Sequence, residues 1–194
     1  MSGSWRHSGG NATIEFTLIG IPLVFVLIST IEMARGMWIY HTLAYAVKEG
    51  TRYAIAQGEN STTPASYQSV CNVIANAGTG LLREDLTLTF YSASNPAGTT
   101  FTANNCAGTR WPPGYNITDG WPPAPSGSPG CQSGTNCVDN QPGQTISIAG
   151  LYPFVSAIAM FWPGAGSGMT FQPLTCQGAG KLCLPAASQD VMQF

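Results

Sequence analysis

Residues 17–31 read TLIGIPLVFVLISTI, a run without a charge. With its near-apolar flanks it reaches the lower edge of the length needed to cross a bilayer, roughly 17–25 residues at about 1.5 Å each. A buried core helix would also account for a run this short, and a secretory signal peptide is a third reading. Against the signal peptide, the apolar stretch continues into Glu32-Met33-Ala34-Arg35 and not into an A-x-A-like cleavage site. The short leader carries Arg6 and His7, which favours a membrane segment with its N-terminus in the cytoplasm. Beyond Ile31 the only helix breakers before Gly58 are Gly36 and Gly50. Met33, Met37, Tyr40, Ala44, Val47, Thr51 and Ala54 recur in steps of four and three, beside a second stripe of Ile39, Leu43, Ala46, Gly50 and Tyr53. Arg35, Glu49 and Arg52 take the remaining side. The pattern predicts one helix over 12–57, bent near Gly20 and Pro22, with its first half in lipid and its second half outside. The striped half fits packing against the chain's own outer domain, or against the helix of a neighbouring subunit.

After Gly58 the pattern changes. Thr63 as N-cap and Pro64 at the first turn predict a second helix, with Tyr67, Val70, Cys71, Ile74 and Ala77 at helical spacing and Gly78 and Gly80 closing it. Residues 86–91 alternate Leu86, Leu88 and Phe90 against Thr87, Thr89 and Tyr91, as a half-buried strand does. Residues 92–142 hold eight Pro and seven Gly, too many breakers for regular structure, and read as a long loop that must be fixed in place. Residues 144–148 are a second strand candidate. Residues 146–162 carry no charge, but Gly150 and Pro153 interrupt them, and a return crossing would put Cys176 and Cys183 in the cytoplasm. They therefore read as strand plus buried segment. Residues 169–172 and 182–194 complete the sheet as short strands. The expected fold is α+β: a long N-terminal transmembrane helix, then a small disulfide-stapled domain with one helix and an antiparallel sheet.

Composition narrows the partners. Only 8% of the residues are charged, against roughly 25% in an average soluble protein. Seven Lys and Arg spread from Arg6 to Lys181 make no basic field for nucleic acid. The six cysteines, Cys71, Cys106, Cys131, Cys137, Cys176 and Cys183, all follow residue 70, which suggests disulfides formed in an oxidising compartment. Zinc is the competing reading, but no His follows His41, and Cys131 and Cys137 are wider apart than zinc pairs usually are. Sequence-local pairing gives Cys131–Cys137 and Cys176–Cys183, leaving Cys71–Cys106. Trp-Pro-Pro recurs at Trp111 and Trp121. Both rings are expected to pack onto the domain, the other reading being a surface contact for a ligand.

Glu15 stands at the head of the apolar run. A carboxylate in lipid costs roughly 2.5–3.5 kcal/mol at mid-bilayer and less near an interface. The positive end of the helix dipole compensates part of that, and a terminal amine of a neighbouring subunit could do more. Snorkelling to the headgroups is the simpler alternative.

Residues 9–36, GGNATIEFTLIGIPLVFVLISTIEMARG, followed by HTLAYAVKEGTRYAIAQG at 41–58, resemble the N-terminal region of the TadE family. These are pseudopilins or minor pilins of the tight-adherence (Flp, type IVb) pilus system. The resemblance rests on Gly10, Glu15 and Phe16, the apolar helix after them, and KEGTRYA at 48–54. It implies that residues 1–10 are a leader removed by a membrane prepilin peptidase, leaving Asn11 as the new N-terminus. It also implies that Glu15 pairs with a subunit's terminal amine. Residues 11–58 are then the pilin-like helix and residues 59–194 the exported domain. LPAASQDVMQF at 184–194 resembles the family's closing strand, whereas the long cysteine-bearing insertion departs from the commonest pattern.

No catalytic constellation emerges, since His41 is the only His beyond the leader. Glu59, Glu84, Asp85, Asp119, Asp139 and Asp190 show no pairing, and GAGSG at 164–168 and GAGKL at 178–182 lack the full phosphate-loop form. The expectation is a non-catalytic, single-pass inner-membrane protein without metal or cofactor. It would assemble with other pilus or pseudopilus subunits through its helix and carry its domain on the periplasmic or extracellular side. The alternative is an unprocessed membrane-anchored binding or adhesion protein.

Overall fold

A computed structural model describes residues 9–58, 61–93, 95–111, 142–155 and 181–193, with backbone alone at 9–12, 181 and 182. The described elements are α1 (Gly9–Ala56), α2 (Tyr67–Ala77), β1 (Thr87–Tyr91), β2 (Thr99–Thr102), β3 (Thr145–Val155) and β4 (Lys181–Val191). They form one antiparallel sheet in the order β2-β1-β3-β4. The fold is α+β.

The core lies between the sheet and the C-terminal half of α1. Alternation along the strands buries Leu88 and Phe90 of β1 and Ile146, Ile148, Tyr152 and Phe154 of β3. From α1, Ile39, Leu43, Ala46, Val47 and Ala54 meet them. The chain's own domain thus covers the second stripe and the lower part of the first, through Val47, Thr51 and Ala54, while Met33, Met37 and Tyr40 stay exposed. Gly50 is where α1 and α2 come closest, since a Cβ there would overlap the buried Ile74 side chain. Gly150 plays the same part against the sheet. Its Cβ position lies 2.8 Å from Val47, so β3 can lie flat on α1 only if this residue has no side chain.

β3 is longer than the sequence pattern indicated. It runs through Pro153 because pairing with β1 ends at Leu151, and the last residues of β3 pair only with β4. A proline in that stretch sits where one side of the strand has no ladder to donate to. β2 corrects the reading of 92–142 as loop throughout: Thr99–Thr102 pairs along β1 as a short edge strand. The remainder of that insertion, from 112 to 141, and residues 156–180, including the strand expected at 169–172, lie outside the described residues.

α2 starts later than Thr63 and Pro64 implied. Its N-cap is Ser66, whose Oγ accepts from the Ser69 N–H at 3.1 Å while the Ser69 Oγ accepts from the Ser66 N–H at 2.9 Å. Two orphan donors are thereby satisfied reciprocally, with serine in the place more often held by glutamate. Ser66→Ala is expected to cost about 1 kcal/mol, read as a lowered urea midpoint of the detergent-solubilised protein.

Trp111 is 1% exposed. Its ring lies 4.8 Å from Phe90 and 6.0 Å from Tyr67, and Tyr67 in turn touches Phe101 at 5.0 Å. The Trp111 backbone N–H donates to the Ala65 carbonyl and the Tyr67 N–H to the Thr109 carbonyl, stitching the segment before α2 to the chain that leaves β2. The Trp111 ring thus completes a buried aromatic cluster with Phe90, Tyr67 and Phe101. Trp121 lies outside the described residues.

Candidate functional site

The N-terminal half of α1 is bare. Phe16 is 78% exposed, and Leu18, Ile19, Leu23, Val24, Phe25, Val26, Leu27 and Ile31 are exposed with it. The helix is long and apolar enough to cross a membrane, and none of its most apolar window is buried. That distinguishes it from the core helix of a soluble domain, whose apolar face would be covered. Its hydroxyls are also settled internally. Thr17, Ser29 and Thr30 donate to the carbonyls of Thr13, Phe25 and Val26 at 2.7, 2.7 and 2.8 Å. A segment that satisfies its polar groups within itself needs no water to do so. Pro22 is held inside the helix and leaves the carbonyl four residues before it without an amide donor.

Gly10 and Asn11 fall in the first turn of α1. Glu15 is exposed on the next turn, and the Phe16 ring leans over Gly20 at 3.7 Å from that residue's Cβ position. Phe16, Thr17, Gly20, Ile21, Val24 and Phe25 line a shallow apolar groove along this face. It is the kind of surface that lipid tails or another apolar helix would fill.

The bare half ends at a polar collar. Glu32 lies 3.7 Å from Arg35, whose Nη1 also donates to the Val155 carbonyl at 3.4 Å. The Arg35 guanidinium stands 5.3 Å from the centre of the Phe154 ring, a cation–π contact. This tie between α1 and the end of β3 left no mark on the sequence, because it joins residues 120 positions apart. One turn from the C-terminal end of α1, Glu49 and Arg52 form an exposed ion pair at 3.0 Å.

Cys71 of α2 is joined to Cys106, with the Cα atoms 6.4 Å apart across 35 residues. Cys183 is disulfide-bonded as well. These three sulfurs are therefore not thiolate ligands, which removes them from a zinc site. Cys131, Cys137 and Cys176 lie outside the described residues, and with them the pairs Cys131–Cys137 and Cys176–Cys183.

Taken together, these features describe a helix long and apolar enough to cross a membrane that continues without interruption into an α+β domain. The family model described as TadE-like protein matches residues 10–52. The matched interval opens at Gly10, takes in Glu15, Phe16 and the whole bare span, and closes in the half of α1 that the domain covers. Over that interval the chain is similar to TadE-like proteins. The chain matches no curated protein and no solved structure.

Proposed function

We propose that this chain is a non-catalytic pseudopilin or minor pilin that takes part in assembling a tight-adherence type IVb pilus. The observation that carries the reading is the coincidence of the TadE-like match with the bare apolar half of α1. The helix anchors the chain in the inner membrane in a single pass, and the α+β domain stands on the periplasmic or extracellular side. The Cys71–Cys106 disulfide supports an oxidising location for that domain. On assembly the bare face exchanges lipid for the helices of neighbouring subunits and so stays out of water throughout. A prepilin peptidase cuts after Gly10, and Glu15 then receives the terminal amine of an adjacent subunit.

The test is the N-terminus of the protein from cells with an active prepilin peptidase. The mature chain is expected to begin at Asn11, and Gly10→Val is expected to leave a full-length species in the membrane, both read by intact mass and N-terminal sequencing. Native protein that still carries its leader would remove the pilin reading and leave an unprocessed anchor bearing a binding domain.

A further inference from the structure

We infer that the membrane-facing end of the α+β domain rests on the lipid surface, so that the chain holds the bilayer by a second, peripheral contact beside its helix; the inference rests on the membrane-spanning reading of α1. Glu15 and Arg35 bracket the bare span, and at about 1.5 Å per residue they lie about 30 Å apart, the thickness of a hydrocarbon core. Arg35 therefore marks the outer boundary of the lipid tails. The domain begins at that same level, because Arg35 touches Phe154 and the Val155 carbonyl at the end of β3.

What the domain exposes there is apolar. Trp38, less than one turn beyond Arg35, is 53% exposed, and its ring lies over Gly80, where a Cβ would come within 2.6 Å of it. Leu82, two residues after Gly80, is 55% exposed. The Leu82 N–H donates to the Tyr152 hydroxyl at 3.3 Å, which ties this turn to the same end of β3. Met37 and Val155 are exposed at this level too, and Met33, one helical turn before Met37, carries the exposed apolar positions on toward Ile31 of the bare span. Soluble surfaces scatter such residues singly, whereas a contiguous patch marks an interaction site. Here the patch is continuous with a surface already committed to lipid, and it carries a Trp at the depth where aromatic rings favour the headgroup layer.

The charges at this end speak for apolar contact as the basis of binding: Arg35 faces Glu32, and Arg83, in the turn after Leu82, is followed by Glu84 and Asp85, so the described residues give no net positive charge to draw anionic headgroups.

The test uses the full-length protein in phosphatidylcholine vesicles, with and without phosphatidylglycerol. A fluorescent amino acid is placed singly at Leu82, at Gln189 toward the other end of the sheet, and at Phe25 in the span. The Leu82 probe is expected to be about threefold less accessible to aqueous iodide than the Gln189 probe, as for a group set 5–10 Å into the interface. It should also be quenched by lipid labelled near its headgroup, equally in both kinds of vesicle. Equal iodide access at the two positions would overturn the proposal, since the domain would then stand clear of the bilayer. Shielding without quenching by labelled lipid would overturn it in favour of a protein covering the patch, and shielding only with phosphatidylglycerol would overturn the apolar basis. Quenching at Phe25 by lipid labelled deep in its tails reports the spanning helix separately, so its loss would mark the failure of the anchor itself.

Discussion

Glu15→Gln is expected to reach the membrane at the wild-type level and to be missing from assembled pili. The two halves of that result have different causes. Removing the charge makes placement in lipid cheaper, by up to roughly 2.5–3.5 kcal/mol if the carboxylate lies deep and by less near the interface, so insertion does not suffer. A hydrogen bond to a charged partner contributes about 1.5–3 kcal/mol, and its loss weakens each subunit addition roughly ten- to hundredfold. In a filament this penalty recurs at every subunit that carries the change. The measurement compares membrane and sheared-pilus fractions by immunoblot in a strain lacking the native copy, together with pilus counts by electron microscopy. Equal piliation at equal membrane levels would make the assignment of Glu15 wrong and favour an unprocessed anchor.

The second large effect belongs to the Cys71–Cys106 disulfide. It closes a loop of 35 residues that includes the end of α2, all of β1 and all of β2. Chain-entropy arithmetic for such a loop gives about 4 kcal/mol at 25 °C. Cys71 is fully buried beside Val70 and Ile74, on the face of α2 that meets α1 at Gly50, so the bond also holds α2 in its seat. Cys71→Ala and Cys106→Ala are made together, so that no single thiol remains to exchange with the other four cysteines. The expected loss is about 4 kcal/mol in urea unfolding of the detergent-solubilised protein, with earlier proteolysis at α2. An unchanged unfolding midpoint would mean that tertiary packing alone orders this segment.

Much of this architecture could be read from the chain, and where reading fell short the cause is physical. The apolar run and the helical stripes specify α1 because both obey one period over many residues. Leu86, Leu88 and Phe90 specify β1 because one of its faces is buried. β2 escaped notice because Thr99–Thr102 is a short edge strand with little burial, flanked by glycine and proline, and its pairing with β1 defines it more than its own pattern does. Gly150 and Pro153 looked like breaks in β3. Each is admitted by tertiary context, one by close contact with Val47 and the other by the end of the β1 ladder. The start of α2 was misplaced because Thr63-Pro64 is a good cap on local grounds, yet Ser66 and Ser69 form the box that the backbone uses. Within the candidate site, Glu15 stood out as a carboxylate at the head of the apolar run, and Gly10 and Phe16 through the family resemblance. Arg35 and Phe154 did not, since nothing along the sequence relates them.

The unbroken path of α1 also has a mechanical meaning. The helix measures about 70 Å by its residue count, and from Gly36 onward it is gripped by α2, β3 and β4. There is no linker between the part that lies bare and the part that carries the sheet. A pull along the helix axis therefore reaches the domain without slack, and a turn of the helix about its axis swings the sheet through the same angle. Any machine that grasps the N-terminal half moves the outer face of the molecule by an equal stroke, as a rod moves the head fixed to it.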